Sequence, residues 1–157
     1  MSMQTDVKSQ HASTSGLAVG YRTRLKGAVI FPFTGATGYS SFVDNTSIAG
    51  TYARTTTTAT ITSANHGLTT GQWVYLDWDL ADNPYQVTVT NTNTFTVTVA
   101  NSGAASGNVT IWTTVLLQAD ASNATAYTIV IPGQGILSPN GIRVFLATDI
   151  HATVFYG

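Results

Sequence analysis

Asp77, Asp79 and Asp82 are the only closely spaced carboxylates in the chain, within Asp77-Trp78-Asp79-Leu80-Ala81-Asp82-Asn83. Such a run offers oxygen ligands of the kind Ca²⁺ takes, but it lacks the glycine of an EF-hand loop. On a strand, Asp77 and Asp79 point to one face. That geometry could pose as a glycosidase pair, which needs two carboxyl groups in different protonation states. Alternate positions on one exposed strand give both groups similar surroundings, and the chain contains no Glu to help. The plainer reading is a solvated strand end running into a turn. His11, His66 and His151 stand far apart, none in a His-x-x-x-His or Glu-rich context, so no zinc site is expected. His66 precedes Gly67 and suits a local turn. No Gly-x-Ser-x-Gly elbow marks a nucleophile. Gly133-Gln134-Gly135 is half of a dinucleotide motif with no helix after it. The expectation is a protein with no catalytic residues, no cofactor and no metal, hence not an enzyme.

Arg22, Arg24 and Lys26 are half of the six cations and alternate along one strand. They are the candidate protein-interface residues. Arg can bind a neighbour's carboxylates through two parallel hydrogen bonds. Alternatively, charges on an edge strand discourage sheet-to-sheet aggregation. A single basic strand is a small footprint for nucleic acid, and the net charge of −1 supplies no field toward nucleic acid or anionic lipid. Trp73, Tyr75, Trp78, Tyr85, Phe95 and Trp112 cluster in the middle of the chain. Packed inside they are a core; exposed they would suit an interface hot spot or glycan stacking.

Elements that could position these residues are strands. Charged residues make up 8% of the chain, against ~25% in an ordinary domain. Threonine fills Thr55 to Thr58 and the even positions from Thr88 to Thr98, and threonine suits a pleated, half-buried surface. No window carries helical periodicity, whereas alternation with period two is common. So few charges suggest a surface kept largely against partners; the plainer alternative is a soluble domain coated in Thr, Ser and Asn. Cysteine is absent, which removes disulfides and thiolate sites. The polar start gives no sign of a signal peptide, and the longest apolar runs are far short of a membrane span. Neither membrane nor nucleic acid is an expected partner.

The fold class expected is all-β: a β-sandwich or barrel-like domain with a second small β-domain inserted in its middle. Strands are predicted at 21–31, 39–43, 115–119, 127–131, 141–146 and 152–156. A Thr-rich series of short strands at roughly ten-residue spacing fills the region between. The predicted division is an N-terminal arm at 1–14, a discontinuous base at 15–50 plus 113–157, and an inserted, protruding domain at 51–112.

Two parts of the chain carry a resemblance. Ala59-Thr60-Ile61-Thr62-Ser63-Ala64-Asn65-His66-Gly67-Leu68, then Gly71-Gln72-Trp73-Val74-Tyr75-Leu76, Tyr85-Gln86-Val87-Thr88-Val89 and Asn93-Thr94-Phe95-Thr96-Val97, resemble a β module recurrent in phage tail and structural proteins. Asp6-Val7-Lys8-Ser9, Gly20-Tyr21-Arg22-Thr23-Arg24-Leu25-Lys26-Gly27, Ile131-Pro132-Gly133-Gln134-Gly135-Ile136-Leu137 and Val154-Phe155-Tyr156-Gly157 resemble small virion proteins of marine and cyanobacterial phages. This chain differs from the latter by its insertion. The resemblance implies a bacteriophage virion structural protein. The first expectation is a capsid decoration or cement protein that binds the major capsid protein lattice or other virion proteins as a homo-oligomer. A tail, neck or fibre-associated component and a glycan-binding adhesion module are the alternatives.

Overall fold

The structure is a computed structural model that describes residues 6–33, 35–80, 83–100, 103–121 and 125–157. Among the described residues the chain is all strand and turn, with no helix. In chain order the strands are β1 (Lys8–Ala12), β2 (Gly16–Val19), β3 (Thr23–Pro32), β4 (Gly38–Asp44) and β5 (Ser47–Arg54). Next come β6 (Thr58–Thr62), β7 (Trp73–Trp78), β8 (Asn83–Gln86), β9 (Thr88–Asn91), β10 (Thr94–Thr98) and β11 (Ala105–Trp112). The chain closes with β12 (Val115–Ala121), β13 (Tyr127–Val130), β14 (Ile136–Ser138), β15 (Ile142–Leu146) and β16 (Ile150–Tyr156). They divide into two compact units, Met1–Asn45 with Leu116–Gly157, and Thr46–Val115.

The first unit is a β-sandwich made by both ends of the sequence. One sheet runs β1-β16-β3-β13, with β14 also on β3; the other runs β12-β4-β15-β2. Alternation decides which side chains meet between them. Leu25, Ala28 and Ile30 of β3 and Ala152 and Val154 of β16 come from one sheet, and Phe42, Ile142 and Val144 from the other; all are buried in one cluster. Full burial of a Val, Leu, Ile or Phe side chain stabilises by ~1.5–3 kcal/mol. At the end of β4, inside the second sheet, the buried Asp44 carboxylate accepts hydrogen bonds from Ser138 Oγ at 2.8 Å, from the Asn140 amide at 3.0 Å and from Asn140 Nδ2 at 2.8 Å. It thereby fixes the turn that delivers β15.

The second unit is a single seven-stranded sheet, β8-β7-β11-β5-β6-β10-β9, curled so that β8 comes against β10. Its inward positions, among them Ile61, Leu76, Phe95, Val97, Val109 and Ile111, form a separate buried cluster. Pro84, which has no N–H for a ladder, sits on the edge strand β8, where that lack costs nothing.

Two expectations about boundaries need correction. The stretch 1–14 predicted as an N-terminal arm contains β1, which pairs with β16 from Lys8↔Tyr156 to Ala12↔Ala152. The second unit starts at Thr46 rather than 51, because β5 pairs along its whole length with β11, from Ser47↔Trp112 to Arg54↔Ala105.

Candidate protein interface

β3 has neighbours on both sides, β16 on one and β13 with β14 on the other. The charged-edge reading of its cations therefore does not hold. Arg24 and Lys26 are half-buried and turn to the loop that follows β13. Arg24 Nη1 donates to the Gly135 carbonyl at 3.2 Å, and Lys26 Nζ donates to the Gln134 carbonyl at 2.9 Å. This loop lies so close to β3 that a Cβ on Gly135, whose φ is +75°, would collide with the Leu25 carbonyl oxygen. Arg22 lies in the bend before β3 and is exposed.

His66 is buried in the second unit and occupied. Its Nδ1 accepts from the Leu68 amide at 3.0 Å while Nε2 lies 3.0 Å from the Asn91 carbonyl, which assigns the proton to Nε2. Asp77 and Asp79 are both exposed at the end of β7, on either side of the buried Trp78. Asp82 lies outside the described residues, and among those described no group of three acidic or histidine side chains could hold a metal. Tyr52, Trp78 and Tyr85 stack edge to face, with ring centres 5.0 and 5.4 Å apart, inside the second core. Tyr75, Phe95 and Trp112 are buried too, which leaves Trp73 as the exposed member of the predicted aromatic cluster.

Register defines a surface that the sequence did not single out: the outer face of the five-stranded sheet. Directly opposed residues of antiparallel strands point the same way. One row reads His11, Thr153, Val29 and Thr128 across β1, β16, β3 and β13. A second reads Ser9, Phe155, Gly27 and Val130 across the same strands. Between the first row and the turn that enters β16, His151 stands opposite Phe31. None of these residues is charged. Val130 is 76% exposed and Phe33, just past β3, is 52% exposed, while Val29, Phe31 and Phe155 are half-buried.

The aromatic end of this face holds a cleft of about 460 Å³ lined by His11, Phe31, Phe33, His151 and Thr153, among others. Phe33 and His151 rings stand 4.5 Å apart, and His151 and His11 rings 5.6 Å. At the opposite end the face is closed by charge. The register between β16 and β3 slips between Phe155 and Tyr156, so that Lys26 is an extra, bulged residue. Past it lie Arg24 and the exposed Arg22. An apolar centre with a polar margin is the anatomy of a protein-binding patch. Unlike the inward face, this one has no second sheet of the described residues of its own unit packed on it.

Compared with known proteins, the chain matches no family model, no curated protein and no solved structure.

Proposed function

We propose that this chain is a non-enzymatic structural protein of a bacteriophage particle that acts by binding other virion proteins, foremost the major capsid protein lattice. One observation carries the binding role: the outer face of the five-stranded sheet is uncharged, bears Val29, Phe31, Phe33, Phe155 and Val130, and ends in a cationic margin. A contiguous apolar surface of this kind is a docking site in soluble proteins. The virion setting comes from the resemblance of both ends of the chain and of the inserted segment to phage structural proteins. The expected mode is decoration: a subunit that binds only the assembled shell stabilises it by mass action. Arg22, with Arg24 and Lys26 behind it, would face acidic groups of the shell at the margin of the contact.

The experiment is cosedimentation of the purified chain with capsid shells of the phage that encodes it, alongside a stained gel of the virions. Saturable binding, and a copy number comparable to the shell protein, is the expected result. Val130→Asp and Phe33→Asp, both at exposed positions, should abolish cosedimentation while leaving the fold intact. A chain missing from virions and indifferent to shells sinks the reading. A few copies per particle moves the assignment to the neck, tail or fibre.

A further inference from the structure

His11 and His151 are 140 positions apart, yet the β1-β16 ladder sets them diagonally on one face: His11 opposes Thr153, two residues beyond His151. Their ring centres lie 5.6 Å apart. With metal–nitrogen bonds of ~2.1 Å, two imidazoles that share a tetrahedral ion hold their ring centres ~5 Å apart. In their present rotamers the two rings therefore stand close to the spacing of a two-imidazole chelate. His11 Nδ1 lies 3.4 Å from Thr153 Oγ1, which leaves Nε2 for an ion. His11 is exposed at the sheet edge, and the His Cβ–Cγ torsion is soft, so its ring can turn toward the pair. The Phe33 ring packs on His151 and restrains it. Among the described residues no Lys or Arg lines the cleft to repel a cation.

We infer that His11 and His151 form half of a zinc-type divalent metal site, completed by the same pair from a second copy of this chain. Imidazole ligands suit Zn²⁺, Ni²⁺ and Cu²⁺. Structural zinc sites take four protein ligands, and among the described residues no third acidic or histidine group joins this pair. A second copy related by a two-fold axis through the ion supplies the missing two, with one ion for two chains. The same contact covers Phe31 and Phe33, so metal bonds and apolar burial act together. This contact would compete with the proposed shell contact for Phe31 and Phe33, at the aromatic end of the face; its test needs only the purified chain, so its failure and that of the virion reading are told apart.

The test uses the untagged, metal-stripped chain at pH 7.5, titrated with ZnCl₂ while molar mass is followed by light scattering and binding by calorimetry. The mass is expected to double with saturation at one zinc per two chains, and chelator should reverse it. His11→Ala and His151→Ala should each keep the zinc-free mass throughout and bind zinc at least tenfold more weakly. Since His11 is exposed on an edge strand, its variant keeps the fold, verified by its far-UV spectrum. A mass indifferent to zinc, saturation at one zinc per chain, or the same doubling in His11→Ala overturns the inference.

Discussion

Across the seven-stranded sheet, Asn108, Thr51, Thr62 and Thr94 stand abreast on the outer side, and Ser106, Ala53, Thr60 and Thr96 form the row beside them. Across the five-stranded sheet the corresponding rows hold Phe155 and Val130, or His11 and Val29, next to Phe31 and Phe33. Both sheets bury apolar side chains on the inner face. They differ in what the outer face offers. Hydroxyls hydrogen-bond water and one another across strands, so a threonine-coated sheet is complete as it stands. An aromatic and aliphatic outer face leaves apolar area in water at ~25 cal/mol per Å². The paucity of charge over the whole chain therefore has two meanings. In the second unit it reflects a hydroxyl coat; in the first it goes with an aromatic and aliphatic outer face, the surface on which the proposed binding role rests.

The most severe way to probe this division is through the two cores. Phe95→Ala in the second cluster and Phe42→Ala in the first, each fully buried, should cost about 3–5 kcal/mol apiece. Trp73, Trp78 and Trp112 all lie within Thr46–Val115, so tryptophan fluorescence reports on the second unit alone. During urea unfolding, Phe95→Ala should lower the fluorescence midpoint, whereas Phe42→Ala should lower a transition seen by far-UV circular dichroism. An equal shift of the fluorescence midpoint by both variants would show that the units unfold as one. Gly135→Ala should come next, at about 2 kcal/mol, because it places a side chain at φ +75° against the β3 backbone and displaces the carbonyls that Arg24 and Lys26 hold. Its effect belongs to the first unit, so fluorescence should not register it.

Much of this architecture was legible because alternation is a local signal. Thr94-Phe95-Thr96-Val97-Thr98 declares its inner and outer sides without reference to the rest of the chain. β5 was missed because Gly50 interrupts its pattern, and the reason for that glycine is tertiary: a Cβ there would lie 2.7 Å from the Thr62 carbonyl oxygen. Tyr85-Gln86-Val87-Thr88-Val89 alternates like one strand, yet the ladder breaks at Val87, whose amide and carbonyl bond to Gln72 and Gly71 instead. The three cations were recognised from their spacing, but their partners are backbone carbonyls of a turn over a hundred residues away, which no residue type announces. The outer apolar face is hidden from the sequence for a related reason. Val29 and Phe31 alternate with Ala28 and Ile30, and a strand apolar at both parities reads as buried on both sides. Only the sheet order reveals that, among the described residues, one of those sides has no second sheet of its unit on it.

The contrast between the outer faces sharpens with charge. Val130→Asp and Phe33→Asp should each change folding stability by no more than about 0.5 kcal/mol, as exposed substitutions do, yet weaken association with the covering partner at least tenfold. Thr60→Asp, on the exposed side of the threonine-coated sheet, should alter neither quantity. Cosedimentation and urea denaturation of the three variants check this. A Thr60→Asp chain that fails to bind while Val130→Asp binds normally would transfer the interface to the second unit and reverse the assignment.

The smallest expected effect lies between the two sheets of the first unit, where Tyr127, packed against the core, donates from Oη to the Asp120 carbonyl at 2.7 Å. Burial first, and then the nearby Asp120 charge, raise the Tyr127 pKa above its ordinary value of 10.0. In the unfolded chain the phenol ionises at its ordinary pKa, so the folded state holds its proton more tightly. The stability this contributes is present in full below pH 10 and is lost as pH rises through the folded-state pKa. Tyr127→Phe should cost about 0.5 kcal/mol at neutral pH through the lost hydrogen bond, and should flatten the decline of stability above pH 10. Urea midpoints from pH 7 to 11 measure both. If the variant declines as steeply as the parent, alkaline loss is carried elsewhere, and Tyr156, whose pKa is raised first by its hydrogen bond with Tyr21, is the next group to replace.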